Sequence, residues 1–168
     1  MTIGPEHGSL LVKTYREGVA AKAGHDLVLE VTRWEATLGD GAAELTADPR
    51  SLEVREGLRG VKPLTDRDRD EIRKNIDQKV LGDAQIEFRS TAVDMPAGPG
   101  PMTVEGELTM AGSTRPLAAE LANEDGRVTG TVTLRQSDWG IKPYRGLMGA
   151  LKVRDDVEVV FEAYRISE

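Results

Sequence analysis

His25 and Asp26 are where a catalytic chemistry would first be sought in this chain: an imidazole acting as general base, oriented by a carboxylate. The spacing argues against it. Consecutive residues of a strand project to opposite faces, so an adjacent His-Asp pair does not form a dyad. The only other histidine is His7, and two histidines without ligand spacing make a poor metal site. There is no cysteine, which excludes disulfides and thiolate metal centres. Nucleophile elbow, phosphate loop, zinc motif and dinucleotide fingerprint are all missing from the sequence. Ser113-Thr114-Arg115 reads as a turn with a surface arginine, and the charged helix face at Arg69, Arg73 and Lys74 as a solvated surface. The expectation is a protein that is not an enzyme and has neither catalytic nor metal-ligating residues. His25 is expected at a surface or at the rim of an interior space, within hydrogen-bond reach of a ligand's polar head.

The other residues able to do chemistry are apolar, and theirs is solvation. Leu27, Leu29, Trp34, Leu52, Ile86, Phe88, Val104, Leu108, Val132, Leu134, Val159 and Phe161 occupy one face of their strands by the period-2 rule. They are the candidate lining of a dry interior, although ordinary core packing would give the same stripe. Lys142 to Gly149 reads as a long loop with apolar residues, of the kind that covers a barrel mouth, and Tyr144 in it is a candidate contact. Gly106 and Gly130 fall on apolar-face positions of two parallel-reading stretches. They mark either kinks or room kept open inside.

The elements that must position these residues are mostly strands. Ser9 to Tyr15, His25 to Leu38, Ala43 to Ala47, Ser51 to Val54, and most of the chain after Ile86 read as extended structure, with Asp125-Gly126 as a hairpin turn. The apolar phase shifts between Val31 and Trp34, which predicts a β-bulge there. One helix is predicted over 65–81. It opens on a Thr65-to-Asp68 capping box, carries an Ile72, Ile76 and Val80 stripe, and stops at Gly82. Ser137-Asp138-Trp139-Gly140 reads as a corner with Trp139 packed beneath it. Many closely spaced strands with one helix predict a mainly β barrel or sandwich and exclude a βαβ architecture.

With 168 residues the chain fits one domain, taken as 1–168. Its formal net charge is −7, and no basic stripe is visible, so nucleic acid is not an expected partner. The same balance argues against a permanent contact with an anionic membrane. No apolar run approaches the roughly 20 residues that span a bilayer, so stable membrane insertion is not expected. The N-terminus does not read as a signal peptide, and the expected location is cytoplasmic. Aromatics are only 4% of residues, which makes a completely filled interior harder to build.

Several stretches carry a family resemblance in the right order. They are Ser51-Leu52-Glu53-Val54, Ile86-Glu87-Phe88-Arg89-Ser90, the long segment from Val104 through Gly112-Ser113-Thr114-Arg115-Pro116 to Leu117, Ser137-Asp138-Trp139-Gly140-Ile141, and Leu151 to Val159. Together they make the chain resemble the YceI-like family of bacterial lipid-binding proteins from about Ser9 to Ala163. The resemblance implies a lipocalin-like antiparallel barrel of eight strands with one helix beside it. It also implies an isoprenoid-type lipid, such as an isoprenoid quinone or polyprenyl chain, as ligand in place of a resident cofactor, and a homodimer. An eight-stranded barrel is just wide enough to be filled by side chains or to hold one small ligand. The expectation is therefore a carrier or sequestering protein. Two alternatives stand beside it: a filled barrel serving as an interaction module, and a small hydrolase or isomerase using His25.

Overall fold

Met102 to Met110 shows how the alternation becomes a sheet: Met102, Val104, Gly106, Leu108 and Met110 are buried, and the residues between them are not. The computed structural model describes residues 1–98, 100–146, 149 and 151–164. In chain order its strands are β1 (Thr2–Ile3), β2 (Gly8–Thr14), β3 (Arg16–Glu17), β4 (Asp26–Val31), β5 (Trp34–Gly39), β6 (Ala42–Ala47) and β7 (Leu52–Leu58). After helix α1 (Asp66–Asn75) come β8 (Ile86–Asp94), β9 (Met102–Met110), β10 (Ser113–Glu124), β11 (Arg127–Arg135), β12 (Arg145–Gly146), β13 (Leu151–Val153) and β14 (Asp156–Tyr164). Eleven of these strands form one antiparallel sheet in the order β1-β5-β6-β8-β9-β10-β11-β14-β2-β4-β7, while β12, β13 and β3 form a small separate sheet.

The sheet order has a geometric consequence. β5 stands near one end of the order and β4 near the other, yet only Thr32 and Arg33 separate them along the chain. The sheet must therefore curl until its two ends meet. The apolar phase shift at Val31–Trp34 is this corner, not a bulge: the chain leaves β2 and β7 as partners and takes up β1 and β6. The register does shift opposite Val28 and Leu29, but the extra residue is Arg55 of the partner strand β7. β6 and β7 bend at the same place through Asp48 to Ser51. The sheet has eleven strands where the family resemblance implied eight, because each of the two bent runs is divided at the corner and the two-residue β1 adds one.

Ser51 locks the double corner. Its buried hydroxyl accepts the Arg33 N–H at 3.0 Å and donates to the Asp48 carbonyl at 2.8 Å. Its carbonyl accepts the Thr32 N–H at 3.0 Å and the Thr32 hydroxyl at 2.8 Å. Asp48 N–H donates to Arg33 O at 3.0 Å, which closes the stitch.

The helix begins as its sequence requires. Thr65 Oγ1 accepts the Asp68 N–H at 3.1 Å, and the Asp68 carboxylate accepts the Thr65 N–H at 2.9 Å. The helix does not stay α-helical to residue 81. Ile76–Val80 is a π turn, closed by the Leu81 N–H on Ile76 O. Gly82 then ends it with φ +71°.

Gly106 and Gly130 do not keep interior space open. A Cβ on Gly106 would strike the carbonyl of Arg89 and the Cα of Ser90, where β8 bulges toward β9. A Cβ on Gly130 would strike the Leu121 side chain. Both glycines serve close approach. The Ser137–Gly140 corner forms as read: Trp139 is buried, its indole N–H donates to Leu108 O at 2.9 Å, and Gly140 has φ +73°.

Two substitutions test this account by denaturant melts. Ser51→Ala leaves the part-buried Arg33 backbone N–H without its partner, while the Asp48 carbonyl keeps the Ser51 N–H, and is expected to cost about 1–3 kcal/mol. Gly106→Ala, which meets backbone, is expected to cost about 1–3 kcal/mol, and Gly130→Ala, which meets a movable leucine end, distinctly less. Equal costs at the two glycines would contradict the close-approach reading of Gly106.

Candidate functional site

The curled sheet is not filled. A cavity of about 400 Å³ runs inside it, within the roughly 300–1,000 Å³ common for small-molecule sites. Its wall is almost wholly hydrocarbon. Strands β2, β4, β8, β9, β10, β11 and β14 contribute inward side chains, and the helix adds Ile72, Ile76, Val80 and Leu81. The π turn widens the last helical turn, and Ile76, Val80 and Leu81 all reach the wall. Several inward residues of the wall, among them Val12, Leu27, Leu45, Phe88, Val132 and Val159, are only half-buried. They face the empty interior, not a neighbour.

The antiparallel register gives the barrel two unlike ends. The three long connections emerge from one of them: β2 to β4, β7 to β8 with the helix, and β11 to β14. The cavity reaches this loop end at Thr14, Leu27, Tyr144 and Val153. At the other end it reaches Leu38, Ala43 and Met102, beneath the β5–β6 turn and the β8–β9 connection. Polar side chains on the wall are few. Near the loop end they are Thr14, Asn75, Gln136 and Tyr144, and Gln136 spends its amide on Arg154 O at 3.0 Å.

Of the residues singled out from sequence, Leu27, Leu29, Leu52, Ile86, Phe88, Val104, Leu108, Val132, Leu134, Val159, Phe161 and Tyr144 line the cavity together. Trp34 and His25 do not. Trp34 faces inward at the bent corner, where it is buried edge-on against Phe161 with ring centroids 5.6 Å apart. Phe161 lines the cavity while Trp34 does not, and the buried Trp34 indole N–H has no partner among the described residues. His25 lies on the outside of the loop end, its Nε2 2.5 Å from Lys62 O. Leu147 and Met148 of the 142–149 loop lie outside the described residues.

Wall residues not singled out from sequence include Leu10, Val12, Leu45, Leu117, Leu121 and the helix stripe. The strand alternation and the four-residue helix period already marked most of these as inward. Asn75 carried no such signal: it is a polar residue beside the stripe.

Asp26 is committed elsewhere, so His25 has no carboxylate partner in it. It is buried, accepts the Arg16 backbone N–H at 2.8 Å and pairs with the Arg59 guanidinium at 2.6 Å. Burial works against its charge, but the Arg16 N–H and the Arg59 guanidinium outweigh burial and hold the carboxyl below its ordinary value. Arg59 sits in the left-handed region at φ +61°, so this pair anchors a loop in an unfavourable conformation. The Arg16 side chain adds bonds to the carbonyls of Gly24, Leu58 and Arg59. A second depression, formed by Tyr15, Glu17, the Arg154-Asp155 turn and outward residues of β11 and β14, is polar. Within it the Tyr15 hydroxyl is pushed up by burial and by its bond to Glu158.

No helix among the described residues is long and apolar enough to cross a membrane. Among them, too, no cluster of three or more His, Asp or Glu side chains is placed to hold a metal ion.

Comparison with known proteins gives a family and a fold. The model of the YceI-like domain matches residues 2–164. Eight solved chains match in structure. One is the crystal structure of Burkholderia cenocepacia BcnA, with a TM-score of 0.63, 18% identity, and coverage of 92% of this chain and 94% of that one. At that identity the likeness shows a shared fold. A search of the curated proteins finds no match.

The Asp26 anchor has a pH signature. A carboxyl whose folded pKa is depressed contributes stability above its unfolded value, about 3.9, and loses it as pH falls through the lower folded value. Asp26→Asn is therefore expected to lower the melting temperature at pH 7 and to flatten the loss of stability below pH ~4. An acid limb as steep as wild type would rule out Asp26 as a contributor.

Proposed function

The chain belongs to the YceI-like family, and from that premise we propose that it is a binding protein that carries or sequesters one elongated apolar lipid of the isoprenoid class. The observation that supports this most is the cavity itself. Its wall is hydrocarbon, and inward side chains along its length are left half-uncovered. Burying each CH₂-sized group of a ligand there yields ~0.8 kcal/mol. A few isoprene units would exceed the cost of association and give micromolar binding or better.

In this reading the residues singled out from sequence that line the cavity, from Leu27 to Phe161, solvate the chain of the ligand. Tyr144 and Asn75, at the loop end, are placed to meet its polar head. His25 and Trp34 have no direct part. The chemistry asked of the site is exclusion of water and matching of shape, and among the described residues no group on the wall is set up as a nucleophile with an adjacent base. The filled-barrel module is the weaker reading, because about 400 Å³ of the interior is empty.

Native mass spectrometry of the purified protein, followed by solvent extraction, tests this. The expected result is a stoichiometric isoprenoid-type adduct. Ala119 lines the cavity and Thr131 faces outward. Ala119→Trp, which fills the space, is expected to reduce the adduct at least tenfold without loss of stability, and Thr131→Trp to leave it unchanged. A protein that stays empty after incubation with a polyprenyl alcohol would overturn the proposal.

A further inference from the structure

Charge is not spread evenly over this acidic protein. Three segments at the loop end contain no acidic residue: 18–25, 57–65 and 140–154. They carry Lys22, Arg59, Lys62, Lys142, Arg145, Lys152 and Arg154, while all 29 Asp and Glu residues of the chain lie outside them. Arg59 is paired with Asp26, and Lys152 and Arg154 approach Glu17 at 3.9 and 3.8 Å. Lys22, Lys62, Lys142 and Arg145 are exposed and have no carboxylate within ion-pair distance among the described residues. The helix between β7 and β8 carries both signs in near balance.

The described residues of these segments form one continuous face. His25 of the first meets the Lys62 carbonyl of the second, and Arg16 bonds the carbonyls of both Gly24 and Leu58. Gly24 packs under the Leu151 side chain of the third. The same face exposes large apolar side chains at its loop tips: Val19 is 97% exposed, Val61 74% and Leu58 41%. It borders the cavity, which reaches Tyr144 and Val153 of the third segment. The opposite end also exposes apolar side chains, Met1, Met95 and Tyr164, but sets them near Asp40, Asp94, Glu124 and Asp125.

Exposed apolar tips ringed by unpaired cations, beside the end of a hydrocarbon cavity, match one partner chemistry: an anionic lipid bilayer. We propose that the loop end docks reversibly on such a bilayer, with Val19 and Val61 entering the headgroup layer and Lys22, Lys62, Lys142 and Arg145 on lipid phosphates. The cavity would then load and unload along the membrane normal. Part of the net charge of −7 borders this face at Glu17, Asp66, Asp68, Asp138, Asp155 and Asp156, but these stand outside the three segments, and solution salt screens charges beyond about 10 Å. The inference rests on the cavity holding a lipid, and the test separates the two.

Co-sedimentation with vesicles of phosphatidylcholine alone is compared with vesicles containing roughly one-third phosphatidylglycerol. Wild type is expected to bind only the anionic vesicles and to release at ~0.5 M salt. Lys22→Glu with Lys62→Glu is expected to weaken partition by roughly 25-fold or more, at about a factor of five per cation removed. Val19→Asp with Val61→Asp should do likewise, and Met95→Asp at the other end should not. Cavity occupancy is read separately in free solution with the apolar fluorophore N-phenyl-1-naphthylamine, which the surface variants should still take up. Equal binding to both vesicles, no binding to either, or equal loss with Met95→Asp overturns the docking face whatever the fluorophore does. Vesicle binding without fluorophore uptake supports the face and overturns the carrier reading instead.

Discussion

The stitch between Thr32-Arg33 and Asp48-Ser51 is the constraint on which the architecture turns. It bends two neighbouring strand runs at one place and hands each from one set of partners to another. Because β4 and β5 are covalent neighbours at opposite ends of the sheet order, the sheet has no flat solution. Curling follows, and with it an enclosed interior whose width is set by strand number and tilt, not by the side chains that happen to point into it.

What those side chains are then decides whether the interior is solid. The chain has two Phe and two Trp residues. Trp34 and Phe161 spend their bulk on each other beside the corner, and Trp139 is buried under its own corner against Leu108. Phe88 lies along the wall beside Gly106, and the rest of the lining is mainly Val, Leu and Ile, which do not bridge the space between opposite walls. The helix does not fill that space either. Its stripe forms part of the wall, and its π turn keeps the stripe facing inward to its last residue.

The two ends of the barrel divide the remaining work. Tight turns rich in Asp and Gly close one end, where positive φ at Asp40, Gly41, Asp125 and Gly126 demands such residues. The long connections gather at the other, where buried Asp26 anchors the left-handed Arg59 loop and joins two of the three cationic segments. A charged group that looked catalytic beside His25 is thus a structural anchor. Its burial is tolerable because a backbone N–H and a guanidinium satisfy it.

Much of this was legible in the residues alone. Period-2 alternation depends only on strand geometry, so it identified the mainly β class and most of the cavity wall. The capping box, the Asp125-Gly126 turn and the Trp139 corner are local hydrogen-bond chemistry and formed where their residues stood. Tertiary structure decided the rest. Alternation marks a residue as inward but says nothing of what lies opposite it. It could not tell Trp34, which packs edge-on on Phe161 off the cavity wall, from Val132, which lines it, nor show that the Val31–Trp34 phase shift is a change of partners. The close approaches at Gly106 and Gly130 depend on neighbouring strands. The gathering of three acid-free segments into one face depends on which ends of the strands meet. Inwardness is a property of one strand and is carried by its sequence; emptiness, close approach and shared surfaces are properties of several strands at once, and only their assembly determines them.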